Sequence, residues 1–500
     1  SGGGVAFTQN ALASFVGSSV SVSSAGGVTA DNNVHVNLVQ SSSLSISGGN
    51  LQLQGSSQFV VDASSSVVVS GGSFSATGQT NVTFSQSPLT VSGGSATFTG
   101  SSTSSFTGSA VSVTGGSVVI DLLAQCSLTQ GSSLTINKSS KRFTSSGELL
   151  IVAGNSKLLV TGSSVTVNNG DVSFQEQSIA QVDGSTVIVA GGNINSVGTA
   201  QFVVDQGSSL SISGGSMSFA VQSSMTVQAS SVSITAGGLH GTDQATMQVS
   251  SSTVTIDGGA VSIDTSARLW FLSSSSLSVK SNSIQVSGTS WLRVSSSSVS
   301  VSGGNIAVSG SNTQVDVIGG STVQVQQGSF LINGAGQAQI TGVSAVSVTG
   351  GQFGVGGSMT ATVQQSSIAV NGSMAQVSFS GTSTTTVSSQ SLLSVSSGSV
   401  SCYNSAQVAL AQSNAVISGG GLALSDMAVL SATSAFIQVN GGLVTAASMS
   451  SLTLAQSTLA ITANGSSFGK QHSYLNVLYY FDCWRLAFDG WFYDLDRYPN

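Results

Sequence analysis

Apolar residues fall in pairs, i and i+2, along nearly the whole chain. Between residues 44 and 61 the pairs are Leu44/Ile46, Leu51/Leu53 and Phe59/Val61, the spacing of short strands that each turn one face inward. The next sets are Val67/Val69, Phe74/Ala76 and Val82/Phe84; then Leu89/Val91 and Ala96/Phe98 with Phe106; then Val111/Val113, Val118/Ile120 and Cys126/Leu128. Between the first and second pair of each set stands a glycine-rich turn. Gly26-Gly27, Gly48-Gly49, Gly71-Gly72, Gly93-Gly94 and Gly115-Gly116 are 22, 23, 22 and 22 residues apart. A unit this short cannot bury its own apolar face, so successive units must stack to share a core.

The pattern predicts an all-β chain: a single long parallel β-helix with three short strands per coil of about 22 residues and about 20 coils. By the crossover rule it is expected to be right-handed, and at strand spacing its rod is expected to reach on the order of 100 Å. The glycine corners are expected to need positive φ, which asparagine also tolerates, as at Asn137, Asn169, Asn371 and Asn464. The expected division is a start or cap over 1–25, the solenoid over 26–466 and a separate tail over 467–500.

Two places break the rhythm. Between Asn137 and Gly147 the glycine spacing falls to about half a repeat, in a segment holding Lys138, Lys141 and Arg142; it reads as a protruding loop or a tolerated insertion. An extra Gly319-Gly320 between Gly304 and Gly328 marks a displaced corner. Just before it lie Trp270, Trp291 and Arg293, open to two readings, a platform for sugar rings or part of the core. In the tail, Val477, Leu478, Phe481, Trp484, Phe488, Trp491, Phe492 and Leu495 follow a helical spacing. That predicts an amphipathic segment, with Phe481, Trp484, Phe488, Trp491 and Phe492 as residues that cap the last coil or dock another copy of the chain.

Composition narrows the function classes. Charged residues are 5% of the chain and apolar residues 40%, with a net charge of −7 and ten Lys+Arg, so no basic stripe exists for nucleic acid. No apolar run is long enough for a transmembrane helix. Asp183 and Asp205, or Asp257 and Asp264, are the carboxylates that repeat spacing brings nearest each other. His35, His240 and His472 are remote from one another and from Cys126 and Cys402. The expectation is a protein that is not an enzyme, with no cofactor and no metal site.

At the outward position of the first strand in each coil stands a rank of hydroxyls: Ser45, Thr90, Ser112, Thr135, Thr166, Ser211, Ser233, Thr255, Ser278, Ser300 and Ser347, interrupted at Val68, Ile188, Gln324 and Ala369. The sequons at Asn81, Asn137, Asn371 and Asn464 are candidate glycosylation sites.

The stretch 41–49, Ser-Ser-Ser-Leu-Ser-Ile-Ser-Gly-Gly, and its many copies over residues 20–465 resemble the repetitive β-solenoid surface proteins, among them autotransporter adhesin passengers and the polymorphic membrane proteins. The likeness is one of repeat and composition and carries over no site residue. It implies an extracellular or cell-surface location. The function expected is structural: a stiff glycosylated rod that self-associates end to end into a fibre, filament or surface coat. The alternative is an adhesin or glycan-binding protein with surface glycans as partners; an ice-binding protein or polysaccharide lyase comes behind these.

Overall fold

The computed structural model describes residues 4–23, 26–62, 64–137, 148–373, 375–462 and 474–478. Every element among them is a strand, and the strands pair in parallel with the equivalent strand one coil along. Three sheets result. Sheet 1 holds strands such as Ser43–Ser47, sheet 2 the three-residue strands such as Leu51–Leu53, and sheet 3 strands such as Gln58–Val61. This is the β-solenoid that the paired apolar residues predict, with about twenty coils. Residues 1–259 and 260–500 form two compact units, each built this way.

Residues 5–22, expected as the start of the solenoid, form a complete coil: Val5–Thr8 pairs with Val28–Asp31, Leu12–Val16 with His35–Val39, and Ser19–Val22 with the strand at Ser43. At the other end, Tyr474–Leu478 is a strand of sheet 3 beside Ser451–Ala455. This corrects the helical spacing read from Val477 and Leu478: the segment joins the ladder. Asn464 and the cap candidates Phe481, Trp484, Phe488, Trp491 and Phe492 lie outside the described residues, as do Lys138, Lys141 and Arg142. The break after Asn137 is an insertion at the corner between sheets 1 and 2, since Asn137 still pairs with Asn168 across a gap of 31 residues. Gly319-Gly320 forms the corner after sheet 3, behind a strand lengthened to Thr313–Ile318.

The core is a stack of inward pairs. Phe59, Phe84 and Phe106 lie in successive coils with ring centroids 6.0 and 5.3 Å apart, and Phe74 and Phe98 are 5.7 Å apart on sheet 2. All five are at most 2% exposed, and burial of each ring stabilises by roughly 1.5–3 kcal/mol.

The two glycines of a corner serve different ends. The first has positive φ, 86° at Gly48 and 80° at Gly71, and other residues adopt this conformation in its place: Asn169, Ala236, Gln327 and Ser397, with φ of 60°, 63°, 58° and 60°. The second is retained in those same coils, as Gly170, Gly237, Gly328 and Gly398. A Cβ at Gly237 would overlap the carbonyl oxygen of Gly215 in the coil beneath. Close stacking of backbone on backbone therefore holds this position.

The corner between sheets 3 and 1 is closed by a buried serine ladder. Ser163 N–H donates to Ser185 Oγ at 3.0 Å, Ser185 N–H to Ser208 Oγ at 3.1 Å, and Ser208 N–H to Ser230 Oγ at 3.2 Å. Each hydroxyl in turn donates to a carbonyl near the end of its own sheet 3 strand, as Ser185 does to Asp183 at 2.6 Å. The same chain of bonds runs through Ser297, Ser321, Ser344 and Ser366 in the second unit. A buried amide that would otherwise lack a partner is satisfied at every step.

Candidate functional site

Sheet 3 of the second unit carries an outward cluster of aromatic and cationic side chains. Strand parity fixes the direction: Leu269 and Phe271 point inward, so Arg268 and Trp270 point out, and in the next coil Leu292 and Val294 leave Trp291 and Arg293 outside. Parallel register then sets Arg268 beside Trp291 and Trp270 beside Arg293. The result is a two-by-two checkerboard. The rings meet edge to face with centroids 5.4 Å apart, and each guanidinium lies over the ring two residues along its own strand, at 5.9 Å for Arg268 and 5.6 Å for Arg293.

The third coil locks the arrangement. Gln314 and Asp316 pair with Trp291 and Arg293, and Asp316, only 5% exposed, accepts a hydrogen bond from Trp291 Nε1 at 3.0 Å and from Gln314 Nε2 at 3.3 Å. The indole is thereby fixed in orientation. Trp270 Nε1 and Arg293 Nε are buried with no hydrogen-bond partner among the described residues. Each such group costs about 1–3 kcal/mol, a burden a purely structural surface has no need to carry.

Beside this cluster, where sheet 3 meets the corner from sheet 2, a cleft of about 410 Å³ opens between Ser266, Arg268, Thr289, Trp291, Asn312, Thr313, Gln314 and Gln337. The Ser266 and Thr289 hydroxyls are 2.7 Å apart on its wall. Its volume is that of a small-molecule site. It offers one half-buried indole face, one exposed guanidinium and a ring of amides and hydroxyls. That set recognises a ligand with both a flat C–H face and many hydroxyls. Of the two readings of Trp270, Trp291 and Arg293, the outward one holds. Arg268, Gln314 and Asp316 complete the site and are not evident from sequence spacing.

The other candidates are placed as follows. The register sets Ser45, Val68, Thr90, Ser112, Thr135, Thr166, Ile188, Ser211, Ser233 and Thr255 side by side on sheet 1 of the first unit. Ser278, Ser300, Gln324, Ser347 and Ala369 line up likewise in the second. Asn81 is exposed at the start of its strand. Asn137 and Asn371 end theirs, and both side chains already accept hydrogen bonds, from Asn168 at 2.7 Å and from Ser396.

Asp183 and Asp205 are cross-strand neighbours. Asp183 accepts from Gln181 at 2.8 Å, and Asp205 caps the amide of Gln206 at 2.6 Å, so both carboxylates serve local turns. Asp257 ends its sheet 1 strand. Asp264 accepts from Ser287 and from the Thr265 amide, which together hold its carboxyl below its ordinary range. His35 begins a sheet 3 strand and His240 lies within a sheet 2 strand. Among the described residues no group of three metal-ligating side chains converges. Cys126 and Cys402 are buried free thiols, pushed up to about 12 by loss of solvent. No helix among the described residues is long and apolar enough to cross a membrane.

Residues 2–213 match the family model of the B-type component of the discoidin-inducing complex. The match covers less than half of the chain and ends before the Trp270/Trp291 cluster begins. No curated protein shows significant similarity to the chain.

Proposed function

We propose that the chain is a non-enzymatic structural component of an extracellular or cell-surface assembly. The observation that carries this reading is where its polar groups are directed. The buried hydroxyls at the corner between sheets 3 and 1 are tied coil to coil, whereas the outward hydroxyls of sheet 1 form a long charge-free surface with no hydrogen-bond partner among the described residues. A surface of that kind supplies contact area and not chemistry. The name of the matching family describes a component of a complex, which favours an assembly containing other chains over the end-to-end homopolymer expected from the repeats alone. The sequons at Asn81, Asn137, Asn371 and Asn464 suit such a location, and the exposed side chain of Asn81 is the one best placed to carry a glycan.

The test is the native mass and location of the chain. Multi-angle light scattering and negative-stain microscopy of material recovered from the medium or cell surface should show particles or filaments heavier than one chain. A chain that stays inside the cell, or one that is monomeric at native concentration, overturns the reading. A second reading, a glycan-binding protein, is favoured by one specific observation: the cleft between Arg268 and Trp291.

A further inference from the structure

We infer that this cleft is a binding site for an acidic saccharide, with the carboxylate or sulfate on Arg268 and a pyranose face on Trp291. The inference rests on the glycan-binding reading and adds to it the charge of the ligand. Three observations carry it. The first is the fixed platform: Trp291 is held by its Nε1 bond to Asp316 and by edge contact with Trp270. A flat ring that loses no freedom on binding is what stacking on a sugar requires.

The second is charge. The described residues hold four Lys or Arg, namely Lys157, Arg268, Lys280 and Arg293, and two of the four stand at this cluster in a chain whose net charge is −7. Arg268 is the charged residue on the cleft wall. It is exposed, and a guanidinium presents a planar fork that fits a carboxylate or a sulfate through two hydrogen bonds. The nearby carboxylate does not compete, because Asp316 is turned to Trp291 and Gln314.

The third is the wall opposite the ring. Ser266 and Thr289 hydroxyls lie with the amide of Gln337 around the same opening. Gln314 spends its Nε2 on Asp316 and so keeps its carbonyl oxygen as an acceptor. Donors and acceptors thus alternate around an aromatic face, as sugar hydroxyls demand.

The test is isothermal titration of the full chain with three probes of similar length: a hyaluronan tetrasaccharide carrying carboxylates, a sulfated heparin tetrasaccharide, and neutral maltotetraose. Binding to one or both acidic probes, at least about tenfold tighter than to the neutral one, is expected, and the carboxylate and sulfate arms then name the source. Arg268→Gln should abolish the preference while leaving residual affinity. Trp291→Ala should weaken all binding by about tenfold, and Trp291→Phe should recover part of it. Circular dichroism of each variant checks that the ladder is intact. Equal binding of acidic and neutral probes, or an Arg268→Gln chain that keeps its preference, overturns the inference and leaves the glycan reading standing. No binding of any probe at millimolar concentration overturns both.

Discussion

Two columns of buried serine run through each unit, at two corners of the same coil, and they behave differently. At the corner between sheets 3 and 1 the residue is serine in nearly every coil, including Ser163, Ser185, Ser208, Ser230 and Ser252. At the corner between sheets 2 and 3 the column reads Ser57, Thr80, Ser102, Ala124, Ser156, Ser178, Ala200, Ser223 and Ala245. Alanine takes turns with the hydroxyl there. The difference lies in the backbone amide. At the second of these corners the amide is satisfied inside its own turn, as Ser178 N–H is by Gln175 O at 3.2 Å and Ala124 N–H by Asp121 O at 3.2 Å. At the first, the amide points along the stack and needs an acceptor from the next coil, which the serine Oγ supplies. Burial and residue type are the same; what distinguishes structural from spare hydroxyls is whether a main-chain donor depends on them.

The upper limit for a corner comes from the glycine turn, where the neighbouring coil is approached by main chain alone. Gly237→Ala puts a methyl against the Gly215 carbonyl, which no rotamer change relieves. A loss of about 3 kcal/mol or more is expected, seen as reduced hydrogen-exchange protection in the strands around residues 210–240. Protection within experimental error of the parent chain would show that the coils can part at little cost, and that close stacking of main chain is not what keeps the second glycine in place.

Next in size is Ser185→Ala. It removes the acceptor of the Ser163 amide and the donor to the Asp183 carbonyl. A buried amide left without a partner costs about 1–3 kcal/mol. The effect should be local to the coils on either side, because a solenoid transmits stability between neighbours, and exchange of the Ser163 amide should rise most. An unchanged rate at Ser163 would dismiss the ladder as a determinant of stability and erase the contrast between the corners.

Much of this architecture is legible in the sequence, and the reason is parity. The inward pairs at 44/46, 51/53 and 59/61 specify strands, and the glycine period specifies coils, so the sheet 1 hydroxyls Ser45 to Thr255 come into register without further information. The serine ladder is equally encoded but harder to see. Ser185 stands two residues before the first inward residue of its strand, Val187, as Ser163 does before Val165, so its phase is inward. In a chain this rich in serine the type carries no signal, and only its constancy at that phase reveals it.

The cleft is a different case. Parity alone places Trp270 and Trp291 outward, yet Arg268 and Trp291 are 23 positions apart in sequence, and Trp291 and Asp316 are 25. The coil between them is longer than its neighbours, so the partner of the indole depends on a register that the regular period does not give. The same limit applies to the second corner glycine, whose need is set by a carbonyl one coil away.

The smallest expected effect is also the sharpest test of the comparison. Ser178 lies seven positions before Ser185 in the same coil, and both are buried, at 0% and 5% exposure. Its hydroxyl has no partner among the described residues. Ser178→Ala therefore removes a desolvated polar group and leaves no donor stranded, since the Ser178 amide keeps its bond to Gln175. The natural chain makes this substitution in the adjacent coil, at Ala200. Stability should change by no more than about 0.5 kcal/mol, or rise by up to about 1 kcal/mol as the cost of the unpaired hydroxyl is lifted. Measured alongside Ser185→Ala by denaturant unfolding and exchange, it isolates the dependence of a backbone amide as the variable, because size, burial and coil are held constant. A loss above about 1 kcal/mol at Ser178 would mean that the hydroxyl is paired in solution through a bound water. The two corners would then be satisfied by different partners rather than divided into needed and spare.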